Sequence, residues 1–235
     1  MYEPLVAFIK KESSTTDIFC FQEIFSSPET HIEEKYRSDL FARLCELLPG
    51  FSGFFAPMMD GYGMGGRVDY PISVGIAMFV RKSIHVKYHG DLFVYGTRNL
   101  DTADGDFARN VQYALIDDHG KDVWVMNFHG FHNEHKNDTD ERLEQSRRII
   151  EFVREKQNVV LCGDFNLRPD TRSITMISEV MRNLITEHNI TTTRSEYYTK
   201  PDRFADFTFV KGIDVKKFSV PAIVVSDHLP MIVEW

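Results

Sequence analysis

Residues 158–166 read Asn158-Val159-Val160-Leu161-Cys162-Gly163-Asp164-Phe165-Asn166. The apolar run 159–162 is unbroken, too short for a helix and bounded by turn formers, so it reads as a strand buried on both faces. Such strands lie inside sheets that are covered on both sides. This one ends on Gly-Asp, which places a carboxylate at the tip of a rigid buried element, where side chains are free to do chemistry. Asn166 follows two residues later, on the same side of Asp164 if the segment stays extended.

Three more segments share this arrangement of an apolar run ending in polar groups. Gln22-Glu23 follows residues 18–21, Asn127-Phe128-His129-Gly130 ends the run 123–126, and Ser226-Asp227-His228 follows residues 223–225. Each has an ordinary reading by itself. Gln22-Glu23 is also how a strand turns into solvent, His129 is also a satisfied core histidine, Asp164 and Asn166 are common turn residues, and Asp227 is also a cap. Four buried strands that all deliver Asp, Glu, Asn or His at one end point instead to a single site on a rigid scaffold.

Between these segments the chain alternates helices and strands. Helices are expected at residues 5–12, 31–48 (stopped by Pro49-Gly50), from Asp138 or Thr139 to about 156, and at 173–184. Strands are expected at 17–21, 74–81, 86–92, 110–117, 123–129, 158–162, 206–210 and 232–235. The four glycines among residues 60–66 mark a loop. This pattern is α/β or α+β, with sheets flanked by helices.

A chain of 235 residues with 43% apolar and 13% aromatic content forms a large core, and no linker divides it. Its net charge of −8 argues against a tight nucleic-acid binder held by overall field, but not against phosphate substrates. No apolar run is long enough to cross a bilayer, and residues 1–4 do not begin a signal peptide. Cys20, Cys45 and Cys162 lack metal-type spacing and read as free thiols suited to a reducing cytoplasm.

Taken in order, the run from Asp17 to Glu23, Asn127-Phe128-His129, Gly163-Asp164-Phe165-Asn166, Asp206 ahead of an aromatic-rich strand, and Ser226-Asp227-His228 resemble the endonuclease/exonuclease/phosphatase superfamily over nearly the whole chain. The resemblance implies a DNase I-like α/β four-layer sandwich: two mixed β-sheets packed face to face and flanked by helices, with residues 1–235 as one domain. It also implies a metal-dependent hydrolase of phosphoester bonds, nuclease or phosphodiesterase in type, using Mg²⁺ with Mn²⁺ as the alternative.

The same resemblance assigns roles. Glu23 is a metal ligand, and Asp227 is a ligand or the neighbour of one. Asp164 orients or deprotonates the attacking water, while Asn166 donates its amide to a phosphate oxygen. His129 and His228 contact the phosphate, and Asp206 fixes the tautomer of His228. Arg109 and Tyr70 are the substrate-binding candidates. The implied partner is a phosphoester, with nucleic acids and nucleotides among the candidates, and the protein is expected to be a cytoplasmic monomer without membrane contact.

Two departures from the family pattern matter. Members usually begin with a short strand ending in an Asn near the metal-binding Glu, whereas Met1-Tyr2-Glu3-Pro4-Leu5 already reads as the first helix. That leads to the expectation of an unpaired sheet edge, and to a second reading as a binding module on the same scaffold. In addition, Cys162 stands where inositol-phosphate phosphatases carry a tryptophan, which argues against that branch. Arg203-Phe204-Ala205-Asp206 matches the abasic-site endonucleases only in part, and the lack of a signal peptide disfavours lipid phosphodiesterases.

Overall fold

A computed structural model describes residues 2–32, 36–100, 107–132 and 135–235. In chain order the elements are α1 (Tyr2–Glu12), β1 (Ile18–Ser26), α2 (Leu40–Leu47), β2 (Phe51–Asp60), β3 (Tyr62–Gly63), β4 (Gly66–Arg67), β5 (Ser73–Arg81), β6 (His85–Tyr95), β7 (Arg109–Asp118) and β8 (Lys121–His129). They are followed by α3 (Asp140–Val153), β9 (Val159–Asp164), α4 (Arg172–Ser178), β10 (Arg182–Asn183), α5 (Leu184–Glu187), β11 (Asp206–Lys211), β12 (Lys217–Ser219) and β13 (Ile232–Glu234).

Two main sheets face each other. One has the order β1-β5-β2 and is antiparallel throughout; the other has the order β10-β11-β9-β8-β7-β6 and is mixed, because β8 and β9 run parallel. Strand β5 shows why they stack. Its Met78 and Val80 join the large core between the sheets, while Ala77 and Phe79 join a second core with Ile9 of α1 and Leu44 of α2. Alternate side chains of a strand point to opposite faces, so a strand apolar on both must be covered twice. On the far side of the large sheet, Ile149 and Val153 of α3, with Ile174 and Ile177 of α4, complete the large core. The result is four layers, as the resemblance implied.

Strand β1 pairs only with β5, and β13 only with β12, among the described residues. Beside β1 lies a cavity of about 1550 Å³ whose lining includes Cys20, Val125, Val160, Thr208 and Met231. Glu23, Asp164, Asp206 and His228 line the same cavity.

Several expectations need correction. The helix expected at 31–48 is only Leu40–Leu47: Ile32 bridges to Arg37 in β fashion, and residues 33–35 lie outside the described residues. Residues 60–66 are not a plain loop but the end of β2 followed by the small hairpin β3–β4. The helix expected at 173–184 breaks after Ser178 into β10 and α5. Asp138, one of two candidate caps for α3, instead accepts hydrogen bonds from the Arg172 and Ser173 N–H groups at 2.8 and 2.9 Å, leaving Thr139 to cap α3. Strand β2 escaped the sequence reading because Gly53 and Pro57 interrupt its pattern. As an edge strand it tolerates Pro57 beside a register shift in its pairing with β5.

Candidate active site

Three neighbouring strands of the large sheet build the centre. In the parallel β8–β9 pair His129 lies beside Asp164, and in the antiparallel β9–β11 pair Asp206 lies opposite Asp164. Register alone therefore sets His129, Asp164 and Asp206 in one row. The close approach of these strands depends on Gly163, whose φ is +144° and where a Cβ would stand 1.9 Å from the Phe128 carbonyl oxygen.

Two carboxylates facing each other, both only 5% exposed, repel unless a cation intervenes. His228 sits between them. Its Nδ1 is 2.8 Å from Asp206 Oδ1, and its Nε2 is 3.6 Å from Asp164 Oδ2. Burial pushes His228 down, but the Asp206 and Asp164 charges and the Asp206 hydrogen bond more than reverse that, raising it to about 9. Arg194 opposes them, since its Nη1 lies 2.5 Å from His228 Nε2. A guanidinium only donates, so this contact requires a neutral ring with Nδ1–H on Asp206. Protonating His228 and keeping the Arg194 contact are mutually exclusive.

Ser226-Asp227-His228 does not follow a strand, contrary to expectation. It lies in an irregular segment joined to residues 193–195 by a β-bridge between Arg194 and His228 and by the Ser195 hydroxyl, which donates to the Ser226 carbonyl at 2.6 Å. Asp227 Oδ2 accepts from Arg194 Nη1 at 2.8 Å and lies 3.8 Å from His228 Nε2.

Gln22-Glu23 is likewise not a strand end. Strand β1 runs on to Ser26 through a bulge in which Gln22 and Glu23 lie between the Phe21–Ala77 and Ile24–Gly75 pairs, with Glu23 at φ 57°. A bulge re-aims a side chain, here into the cavity beside Asp164. Glu23 is exposed and lines that cavity. Burial by the surrounding protein, followed by the Asp164 charge, raises its pKa, with Asp227 adding to the rise and His228 and Arg109 opposing it. Asn127 holds the bulge. It is fully buried, accepts from Gln22 Nε2 at 2.6 Å and donates to the Phe21 and Ala77 carbonyls at 3.0 and 3.1 Å. Asn127→Leu strands those groups, so a loss of about 2–3 kcal/mol is expected, roughly 4–12 °C in Tm by thermal melting.

Asn166 takes φ 54°, so the Asp164–Asn166 segment turns where the sequence suggested extension. Its N–H donates to Asp164 Oδ1 at 2.7 Å, an Asx turn that orients the carboxylate, and its side-chain amide lies 3.4 Å from the Gly130 carbonyl. His129 is buried, and burial with the Arg109 charge depresses it to about 3, so it is neutral at physiological pH. Its Nδ1 has no hydrogen-bond partner among the described residues. Arg109, the first residue of β7, is buried and its charge is felt by Glu23, His129 and His132. Tyr70 stands apart: it hydrogen-bonds Tyr36 and stacks on His31, none of which belongs to the row.

The donor set suits a hard divalent cation. Asp164, Asp206 and His228 each offer one ligand atom within 4.8 Å of the others, and Asp206 Oδ2 is buried without a hydrogen-bond partner. The Glu23 carboxylate lines the same cavity.

Spacing gave no hint of three buried cations around this row. Arg142, on α3, sends its guanidinium inward to the Phe131, Asn137 and Asn166 carbonyls. Lys136 donates to the Phe204 carbonyl at 2.7 Å. Arg194 holds Asp227. Only the folded loops reveal them.

With this geometry in place, the comparisons with known proteins are informative. The profile of the Endonuclease/Exonuclease/phosphatase family matches residues 2–228, and the chain belongs to that family. No curated protein matches. Among solved structures, the mannosyl-6-phosphatase of Bacteroides thetaiotaomicron is 20% identical with a TM-score of 0.70, covering 99% of this chain and 90% of its own. A family protein from Leptotrichia buccalis is 17% identical, TM-score 0.72, covering 99% and 93%. D. rerio TDP2 complexed with single strand DNA product is 15% identical, TM-score 0.65, covering 98% and 90%. These likenesses establish the DNase I-like fold. No helix among the described residues is long and apolar enough to cross a membrane.

Proposed function

We propose that the chain is a divalent-metal-dependent hydrolase of phosphoester bonds, Mg²⁺ being the first choice and Mn²⁺ the second. The observation that carries this reading is the row His129–Asp164–Asp206 closed by His228, with an unpartnered buried oxygen on Asp206. Family membership supports it. So do two neighbours, one a mannosyl-6-phosphatase and the other bound to a single strand DNA product. Three free thiols suit a reducing, cytoplasmic setting.

Asp164, held through Oδ1 by the Asn166 N–H, presents its other oxygen to the cavity and takes the proton of the attacking water. Asp206 fixes the ring of His228, whose Nε2 side faces the reacting phosphoryl group. Neutral His129 offers its unpartnered Nδ1 to a non-bridging oxygen. Glu23, with the unpartnered oxygen of Asp206, would hold the cation, which would supply Lewis-acid stabilisation of charge on the phosphoryl oxygens.

The test uses 4-nitrophenyl phosphate and bis(4-nitrophenyl) phosphate with Mg²⁺. Turnover of at least one ester is expected, abolished by EDTA and restored by excess Mg²⁺ or Mn²⁺. Turnover indifferent to EDTA would sink the metal assignment. No turnover of either ester, together with measurable nucleotide binding, would favour the binding-module reading.

A further inference from the structure

Cys20 and Cys162 lie far apart in the chain, on strands of different sheets, and the chemistry proposed above uses neither. Strand alternation aims both into the space between the sheets. On β1, Phe19 and Phe21 belong to the helix-covered core, so Cys20 points the other way and packs against the large core. Gln22, two residues on, reaches Asn127 across that space at 2.6 Å. On β9, Cys162 stands beside the same Asn127 in the parallel register and opposite Thr208 in the antiparallel one. Paired positions share a face, so Cys162 points toward β1 as Asn127 does. Both cysteines are half-buried and line the 1550 Å³ cavity. The thiols meet there: a side-chain hydrogen bond with Cys162 is the largest influence on Cys20 and, with burial, pushes its thiol up.

Stacked sheets usually lie about 10 Å apart. Here Cα atoms of β1 and β9 come within 8 Å of each other. A disulfide needs roughly 4.4–6.8 Å between its Cα atoms, so joining the two strands asks for a shift of about 1–3 Å. Strand β1 is the freer to move: among the described residues it pairs only with β5, whereas β9 is held between β8 and β11. Glu23 follows Cys20 by three residues on β1, and Asp164 follows Cys162 by two on β9. A movement that joins the sulfurs therefore displaces Glu23 relative to Asp164.

We propose that Cys20 and Cys162 form an oxidisable dithiol, which a peroxide closes to a disulfide, and that closure lowers turnover at the adjoining site. The effect on turnover rests on the phosphoester reading; the disulfide does not. One thiol sulfur attacks the peroxide: an S–O bond forms, the O–O bond breaks, and the departing oxygen leaves as water with the thiol proton. The second sulfur then attacks the sulfenic sulfur. The S–S bond forms, the S–O bond breaks, and hydroxide leaves as water with the second thiol's proton. Two electrons pass from the sulfur pair to the peroxide, which ends as two waters. Transient disulfides of this kind are the usual ones in a reducing compartment.

The experiment uses the Cys45→Ser background, because Cys45 is exposed on α2 and would cross-link molecules. Reduced, Mg²⁺-loaded protein is treated with a few equivalents of hydrogen peroxide, blocked with N-ethylmaleimide and analysed by mass spectrometry. The mass should fall by two hydrogens, with no maleimide added and one cross-linked peptide pair containing residues 20 and 162. Turnover of whichever nitrophenyl ester is hydrolysed should fall about 10- to 100-fold, as expected for a ligand misplaced by about 1 Å. Mg²⁺ binding by calorimetry should weaken about tenfold. Dithiothreitol should restore both. Cys162→Ser and Cys20→Ser should keep their activity through the same treatment.

Free thiols or separate sulfinic acids after peroxide overturn the proposal, as does a disulfide that leaves turnover and Mg²⁺ binding unchanged. Equal peroxide sensitivity in the serine variants overturns it too. If neither variant folds by circular dichroism, the dithiothreitol step decides, because it reverses a disulfide and not an oxidised methionine. The two readings fail separately. If untreated protein hydrolyses neither ester, the phosphoester reading falls, while the mass spectrum and Mg²⁺ binding still decide the dithiol.

Discussion

Asp164→Asn is expected to lower kcat about 10³-fold on whichever phosphoester the protein turns over, with the fold intact. Asn is nearly isosteric and keeps an oxygen to accept the Asn166 N–H, which lies 2.7 Å from Asp164 Oδ1. What it removes is the proton acceptor, a loss of 10²–10⁴ where general-base catalysis operates. It also removes one of two carboxylates facing each other across β9 and β11, so the melting temperature should hold or rise slightly. The Asp164 charge is among the influences raising His228 to about 9, so His228 should titrate at lower pH in the variant. Steady-state kinetics and a histidine NMR titration read both effects. Retention of more than about a tenth of wild-type kcat would remove Asp164 from the role of base.

Gly163→Ala carries the second large effect, this time on stability. Alanine is strained at φ +144°, and its Cβ would stand 1.9 Å from the Phe128 carbonyl oxygen, an atom of the adjacent parallel strand that cannot swing away like a side-chain tip. Strain and overpacking each cost about 1–3 kcal/mol, so a total near 4 kcal/mol is expected, roughly 8–16 °C in Tm. Because β8 and β9 carry His129 and Asp164, any copy that folds by pushing them apart should also lose activity. Calorimetry showing a drop below about 3 °C would mean that the strands can separate at little cost.

Both predictions start from the stretch 158–166, which shows how far local information reaches. An unbroken apolar run between turn formers has few foldings open to it, so β9 as a buried strand with Asp164 at its tip was legible without tertiary knowledge. The same holds for β8 with His129 and for β11 with Asp206, where period and composition agree. Strand β2 was illegible because Gly53 and Pro57 break the signal that its pairing with β5 overrides. Residues 31–39 misled because helical spacing of apolar side chains says nothing about whether a chain turns there to form a β-bridge.

By itself the sequence determined the alternation of helices and strands and the order of the motifs, because each of these depends on periodicity or residue chemistry within a few positions; the four layers and the site residues were what the family resemblance implied. Tertiary structure alone decided how they meet. The parallel register of β8 and β9 sets His129 beside Asp164, and the antiparallel register of β11 sets Asp206 opposite it. The bulge at Gln22-Glu23, held by Asn127, turns Glu23 toward them. The bridge between residues 194 and 228 brings an arginine with no sequence signature to His228. Register, bulges and loop contacts are settled by competition between segments far apart in the chain, and no local pattern records the outcome.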